Sequence, residues 1–277
     1  MVTRLTGALV RAILVALVIS TPALMLPGMG PDTRQITALI ALFGALLTFF
    51  EYASVYPGLV EFRDAPPFNR IRYLALLASV FLLSTLVRSA ADPTTLGSLV
   101  EVTGAAMARS IDFPYSPVRL LVLMLPEGSA PEHLAQVRTA AGLSYVISLI
   151  SLGYFVVILR TMGWPHCVGG FNVWVNLPTF DPTAGGDVVA RLRRDARLNV
   201  ALGFLLPFLV PATIKAAASV FAPITLASPQ TLIWTVTAWA FLPASLFMRG
   251  IAMGRVAEMI EARRQLNLAP EDALAPA

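Results

Sequence analysis

Long stretches nearly free of charge recur along this 277-residue chain, and they constrain its fold more than any other feature. A membrane-spanning helix needs roughly 20 mostly apolar residues, because hydrocarbon solvates neither charge nor open backbone. Six stretches meet that need, at about 6–26, 35–57, 71–91, 140–160, 199–222 and 230–250. Charged residues make up 13% of the chain, against about 25% in a soluble domain. The expected fold is therefore all-α: a polytopic transmembrane bundle of about six spans, forming one domain over 1–267. Residues 268–277 read as a disordered tail. The 71–91 stretch is short between Arg72 and Arg88, but both side chains can snorkel to an interface. The first stretch has the basic start of a signal peptide, yet Arg11 interrupts its apolar region and no clean small-x-small site follows. It is read as a retained span.

The arginines set the orientation. With the N-terminus inside, one side carries Arg4, Arg11, Arg63, Arg70, Arg72, Arg160, Arg191, Arg193, Arg194, Arg197, Arg249, Arg255, Arg263 and Arg264. The other carries Arg34, Arg88, Arg109, Arg119 and Arg138. Fourteen against five predicts both termini on the cytoplasmic face of a bacterial inner membrane. The sequence pI of about 9.6 then reports loops that face anionic lipid headgroups. It does not point to nucleic acid, since no aromatic residues interleave the basic run at 191–197. A single cysteine, Cys167, excludes an intrachain disulfide. With only His133 and His166 beside it, no metal or haem site is expected, and no other cofactor. His166 and Cys167 are sequence neighbours, which is poor geometry for a nucleophile and its base.

Two connections are long enough to fold. On the outer side, Asp92-Pro93 reads as a helix start, followed by Leu96, Leu99, Val100, Thr103 and Met107 on one face. This predicts an amphipathic helix on the membrane surface. The apolar run Val118 to Leu125 is too short to span and reads as re-entrant, interfacial or packed on the bundle. Ser129-Ala130-Pro131-Glu132 reads as a capping box. On the inner side, Phe171, Val173, Val175 and Leu177 alternate with Asn172, Trp174 and Asn176, which predicts an extended strip. Asp181 to Gly186 is turn chemistry, and Asp187 can cap the helix that carries Arg191, Arg193, Arg194 and Arg197. Gly185-Gly186 before that helix lacks the lysine and hydroxyl of a phosphate loop.

Charges within spans are the default candidates for function. Arg11 and Glu51 each lie about six residues from the inner end of a predicted hairpin, roughly 9 Å deep. They are expected to pair. Lys215 follows Pro207 and Pro211, and Pro243 lies at a similar depth. Irregular backbone there predicts either a small cavity with Lys215 as its cation or a lysine that snorkels to outer lipid phosphate. Asn172, Trp174, Asn176 and the four arginines at 191–197 form a candidate surface for a protein partner or a headgroup.

No catalytic or nucleotide signature accompanies these residues, so a non-enzymatic role is favoured. The leading reading is an accessory, assembly or scaffold subunit that binds other membrane proteins. A small transporter or channel built on Lys215 and the proline-broken helices is the alternative. A lipid-modifying enzyme using Glu61, Asp64, Asp181 and Asp187 is the second alternative.

Overall fold

The computed structural model describes residues 2–165, 171–218, 220–221 and 224–268. Among the described residues lie nine helices and no strand: α1 (Val2–Met25), α2 (Pro31–Ala53), α3 (Phe68–Ser89), α4 (Thr95–Ile111), α5 (Pro117–Leu123), α6 (Pro131–Thr161), α7 (Val173–Asn176), α8 (Val188–Ala217) and α9 (Pro229–Leu268). Six of them, α1, α2, α3, α6, α8 and α9, are long and apolar enough to cross a membrane. The chain is thus an all-helical, polytopic bundle. The last helix runs well past the predicted end at 250. Its added turns bury Ala252, Met253, Val256 and Ala257 at helical spacing. The tail 269–277 and the segment His166–Gly170 lie outside the described residues.

Cross-links between distant residues define two polar ends. At one, Arg4 reaches the carbonyls of Tyr52 and Ser54, Trp164 Nε1 donates to Ala65 at 3.2 Å, and Arg193 pairs with Glu261. This arginine-rich end gathers the start of α1, the end of α2, the starts of α3 and α8, and the end of α6. At the opposite end, His133 Nε2 meets the Thr225 carbonyl at 2.8 Å, and Gln230 reaches Met29. Each end has its own core. Near the opposite end and midsection, Val80, Leu83, Val118, Leu121, Val137, Ile233, Val236 and Trp239 pack together. At the arginine-rich end, Phe62, Phe68, Phe155, Trp164, Leu177 and Leu192 do so.

Close helix crossings rest on small residues, as expected where lipid removes most of the hydrophobic drive for association. A Cβ on Gly142 of α6 would stand 2.4 Å from the Ala108 Cα of α4. On α8, a Cβ at Gly203 would stand 2.7 Å from the Pro243 carbonyl oxygen of α9. Gly250 of α9 repays the contact one level down, against the Ala196 carbonyl. The helix α2 is the exception to this packing. Ala41 alone is buried along it, and Leu39, Leu42, Phe43 and Phe50 face outward. Such a helix is stable in hydrocarbon, where exposed leucine and phenylalanine carry no hydration cost.

Three local expectations are corrected, and one choice left open by the sequence is decided. The helix predicted from Asp92-Pro93 starts two residues later: Thr94 caps it by accepting from Gly97 N, and Asp92 pairs with Arg88 instead, at 2.8 Å. Its buried face is Gly97, Val100, Gly104 and Ala108, while Leu96 and Leu99 are exposed. The crossing with α6 selects small residues, so the bulky ones turn out. The capping box at Ser129 does not form. Ala130 precedes a proline and stays extended at ψ 138°, so the helix begins at Pro131. The Ser129 hydroxyl donates to the Pro126 carbonyl. The apolar run after Val118 is a seven-residue helix packed against α6 and α8, with Val118 and Leu121 buried. The strip around Asn172 is not extended but closes into the single turn α7. With no partner strand, that turn satisfies its own amides: Asn176 N–H donates to Asn172 and Leu177 N–H to Val173.

Candidate functional site

The arginine-rich end is built by locking the 54–67 connection against the 171–187 connection. Asn176 is buried and does most of this. Its carbonyl accepts from Phe62 N at 2.6 Å, its Oδ1 accepts from Asp64 N at 3.0 Å, and its Nδ2 donates to Asn172. Phe62 is thereby held at φ 51°, a rare setting for a bulky residue. Packing against Phe68 and Trp164, with ring centroids 4.5 and 5.6 Å away, sustains it. Below, Glu61 makes a two-point ion pair with Arg249 of α9, at 2.5 and 2.7 Å. Thr179 donates its hydroxyl to the same carboxylate at 2.6 Å. Two-point pairs of this kind fix direction as well as charge.

The end of α2 is capped in an unforeseen way. Its last carbonyls carry partial negative charge and lack helical partners. Arg63 supplies donors to Glu51, Ser54 and Val55, and Arg4 adds more. Glu51 itself turns to the chain that follows, accepting from the amides of Gly58, Leu59 and Val60 at 2.8–3.2 Å. The predicted Arg11–Glu51 pair is therefore not made. Arg11 donates to Gly7 of its own helix and lies over the Tyr52 ring, 4.6 Å from its centre. Three local amides satisfy the carboxylate more fully than one guanidinium across the hairpin.

The basic run on α8 divides by role. Arg191 turns inward, donating to Asp181 and Ala184 and covering the Phe180 ring. It secures the turn rather than presenting a surface. Arg193 pairs with Glu261, Arg194 stays exposed beside Asp195, and Arg197 is exposed. Asp187 caps α8 as expected, accepting from Ala190 N at 3.0 Å, and also pairs with Arg264 at 2.6 Å. The Arg264 hydrogen bond, then the Ala190 amide, hold its carboxyl below the usual range. Asp181 is likewise lowered, first by the Thr183 hydroxyl and then by the Thr183 amide. All four acidic residues considered for a lipid enzyme thus have partners, since Asp64 meets Arg63 at 3.2 Å. Trp174 and Asn172 face outward while Asn176 does not.

Lys215 lies at the opposite end and meets Glu127 at 3.6 Å, both well exposed. About two turns away, the proline-interrupted stretch of α8 is met by Trp239 of α9. Trp239 occupies the space between Pro207 and Tyr145, stacked on the latter at 5.6 Å. Another anchor of that end went unread: Asp112, whose largely buried carboxylate faces Arg119 at 2.5 Å and Arg138 at 2.9 Å. Opposite charges on separate helices were visible in the sequence, but nothing in their spacing pairs them. No group of three His, Cys, Asp or Glu among the described residues is placed to hold a metal.

A groove of about 1090 Å³ opens between α1, α2 and α3. A smaller recess of about 350 Å³ adjoins it, and both share Arg11 and Tyr52. Together, the six apolar helices and the two polar ends define an integral, multi-pass membrane protein. The chain matches no family model, no curated protein and no solved structure.

Proposed function

We propose that the protein is an accessory or scaffold subunit of a bacterial inner-membrane complex. The arginine-rich end would face the cytoplasm, as the positive-inside rule requires, and both termini would lie there. One observation carries the reading: among the described residues of that end the carboxylates have partners inside the protein, while Trp174, Arg194 and Arg197 point out. An end with an exposed tryptophan and exposed arginines over a rigid aromatic core offers a docking surface, because these residue types dominate interface energetics. The occupant that fits is an acidic surface on a partner protein. Anionic headgroups of the same leaflet would hold the rim. A small transporter built on Lys215 and the proline-broken helices stays the second reading, and a purified species without partners would favour it.

Affinity purification of the tagged full-length protein from its native membrane in mild detergent tests this. A partner at fixed ratio, lost in Trp174→Ala and Arg194→Glu/Arg197→Glu variants that still insert, is the expected result. A self-associated species without partners would overturn it.

A further inference from the structure

We propose that the groove between α1, α2 and α3 is a binding site for one anionic phospholipid. Its polar end carries three cations, Arg11, Arg70 and Arg72, and none of them forms an ion pair within the protein. Arg70 is exposed and Arg11 bonds only its own helix and the Tyr52 ring. Arg72 is the informative one. Its Nε is shut away from solvent with no hydrogen-bond partner, its one hydrogen bond is a long one to Asn69 at 3.4 Å, and its guanidinium otherwise lies over the Phe68 ring, 5.1 Å from the centre. A guanidinium has five donors in a fixed fork, and leaving even one buried and unmet is costly. The one acid on this wall, Glu61, is already neutralised by Arg249. Net positive charge therefore collects where the groove is polar.

The rest of the groove is apolar, walled by Val10, Leu14, Val15, Leu74 and Leu77. It lies along spanning helices, so the molecule that fills it comes from the bilayer. Tyr73 donates to the Leu14 carbonyl at 3.0 Å, which tethers α1 to α3 where both line the groove. A cationic mouth continuous with an apolar channel matches a phosphate with an attached acyl chain. It does not match a soluble anion, which would leave the channel empty. Basic pockets between spanning helices are the expected form of such a site, and arginine forks suit phosphate oxygens. The site is separate from the outward surface at Trp174, and either can stand without the other.

The test is native mass spectrometry of the full-length protein in detergent, titrated with dioleoyl phosphatidylglycerol or dioleoyl phosphatidylcholine. One phosphatidylglycerol should be retained about tenfold more tightly than phosphatidylcholine, the scale of one charge-assisted contact. Arg70→Ala, exposed and unpaired, should lower that preference without changing the melting temperature. Val15→Trp, which fills the channel and leaves every cation in place, should reduce retention of both lipids. Free glycerol phosphate should not compete. Equal retention of the two lipids would overturn the proposal. So would a preference unchanged in Arg70→Ala, retention unchanged in Val15→Trp, or displacement by glycerol phosphate, which would mark a soluble-phosphate site.

Discussion

The indole Nε1 of Trp239 donates to the carbonyl of Pro207 at 3.0 Å, and that carbonyl is free because of a second proline. In an α-helix the amide of residue 211 would bond the carbonyl of residue 207, but Pro211 has no N–H. The pair of prolines four apart thus creates an acceptor in mid-span, and the neighbouring helix supplies its donor.

This arrangement predicts a coupling between Trp239 and Pro211. Trp239→Phe should destabilise the protein by about 1–3 kcal/mol, the cost of an unmet buried acceptor plus lost packing. In a Pro211→Ala background the restored amide can serve the same carbonyl, so Trp239→Phe should cost less. Thermal melts of the four proteins in one detergent, followed by far-ultraviolet circular dichroism, give the double-mutant cycle. Additive effects would show that the indole hydrogen bond contributes nothing.

The crossing of α4 on α6 predicts strict size limits. Gly142→Val should cost about 1–3 kcal/mol or more, since its Cβ would meet backbone at Ala108 rather than a movable side chain. Gly153→Val on the same helix, with open space at its Cβ, should stay close to wild type. Melting temperatures that fall equally in the two variants would assign the effect to helix propensity alone.

Glu61 and Arg249 should behave as a unit. Glu61→Gln leaves a mostly buried guanidinium with reduced compensation, at a cost of about 2–3 kcal/mol, below the fully buried case. Glu61→Leu/Arg249→Met should lie nearer to wild type than either single variant. The comparison is again one of melting temperature in detergent. A double variant as damaged as the sum of the singles would refute the pairing.

Asp187 predicts a pH response at the start of α8. Its folded carboxyl binds a proton less readily than in the unfolded chain, chiefly because of Arg264. Its contribution is therefore present above the ordinary carboxylate value of about 4 and is lost as pH falls through the depressed value. The protection factor of the Ala190 amide, its exchange rate relative to the intrinsic rate at each pH, should fall on acidification in the native protein. In Asp187→Asn that pH dependence should disappear, leaving only the intrinsic exchange trend.

The six spans were legible because hydropathy over twenty residues is a long-wavelength signal that few alternatives can satisfy. The Asp187 cap was legible because capping is local. Partner choice among charges was not. Glu51 was expected to cross to Arg11, yet three amides seven to nine residues ahead met it. A triad of amides leaves no mark in side-chain identity. Pro131 shifted a helix start by one residue, through backbone sterics that outweigh the Ser-x-x-Glu pattern. Arg70 and Arg72 looked like ordinary boundary arginines, because a groove is a property of where α1 and α3 part, which no periodicity encodes. The lone lysine drew attention by rarity, and rarity is not burial.

The Glu61–Arg249 pair joins residues 188 positions apart. A nascent chain threads its helices in order, so Glu61 reaches the membrane while the ribosome still holds the codons for α9. Until α9 arrives, that carboxylate lacks its two-point partner, and the aromatic core above it lacks Met248, Ala252 and Val256. Closure of the bundle is thus a late event, set by its last helix. A chain stalled before α9 would differ from a finished one by an exposed acid at the membrane surface, a chemical mark by which unfinished copies can be told apart.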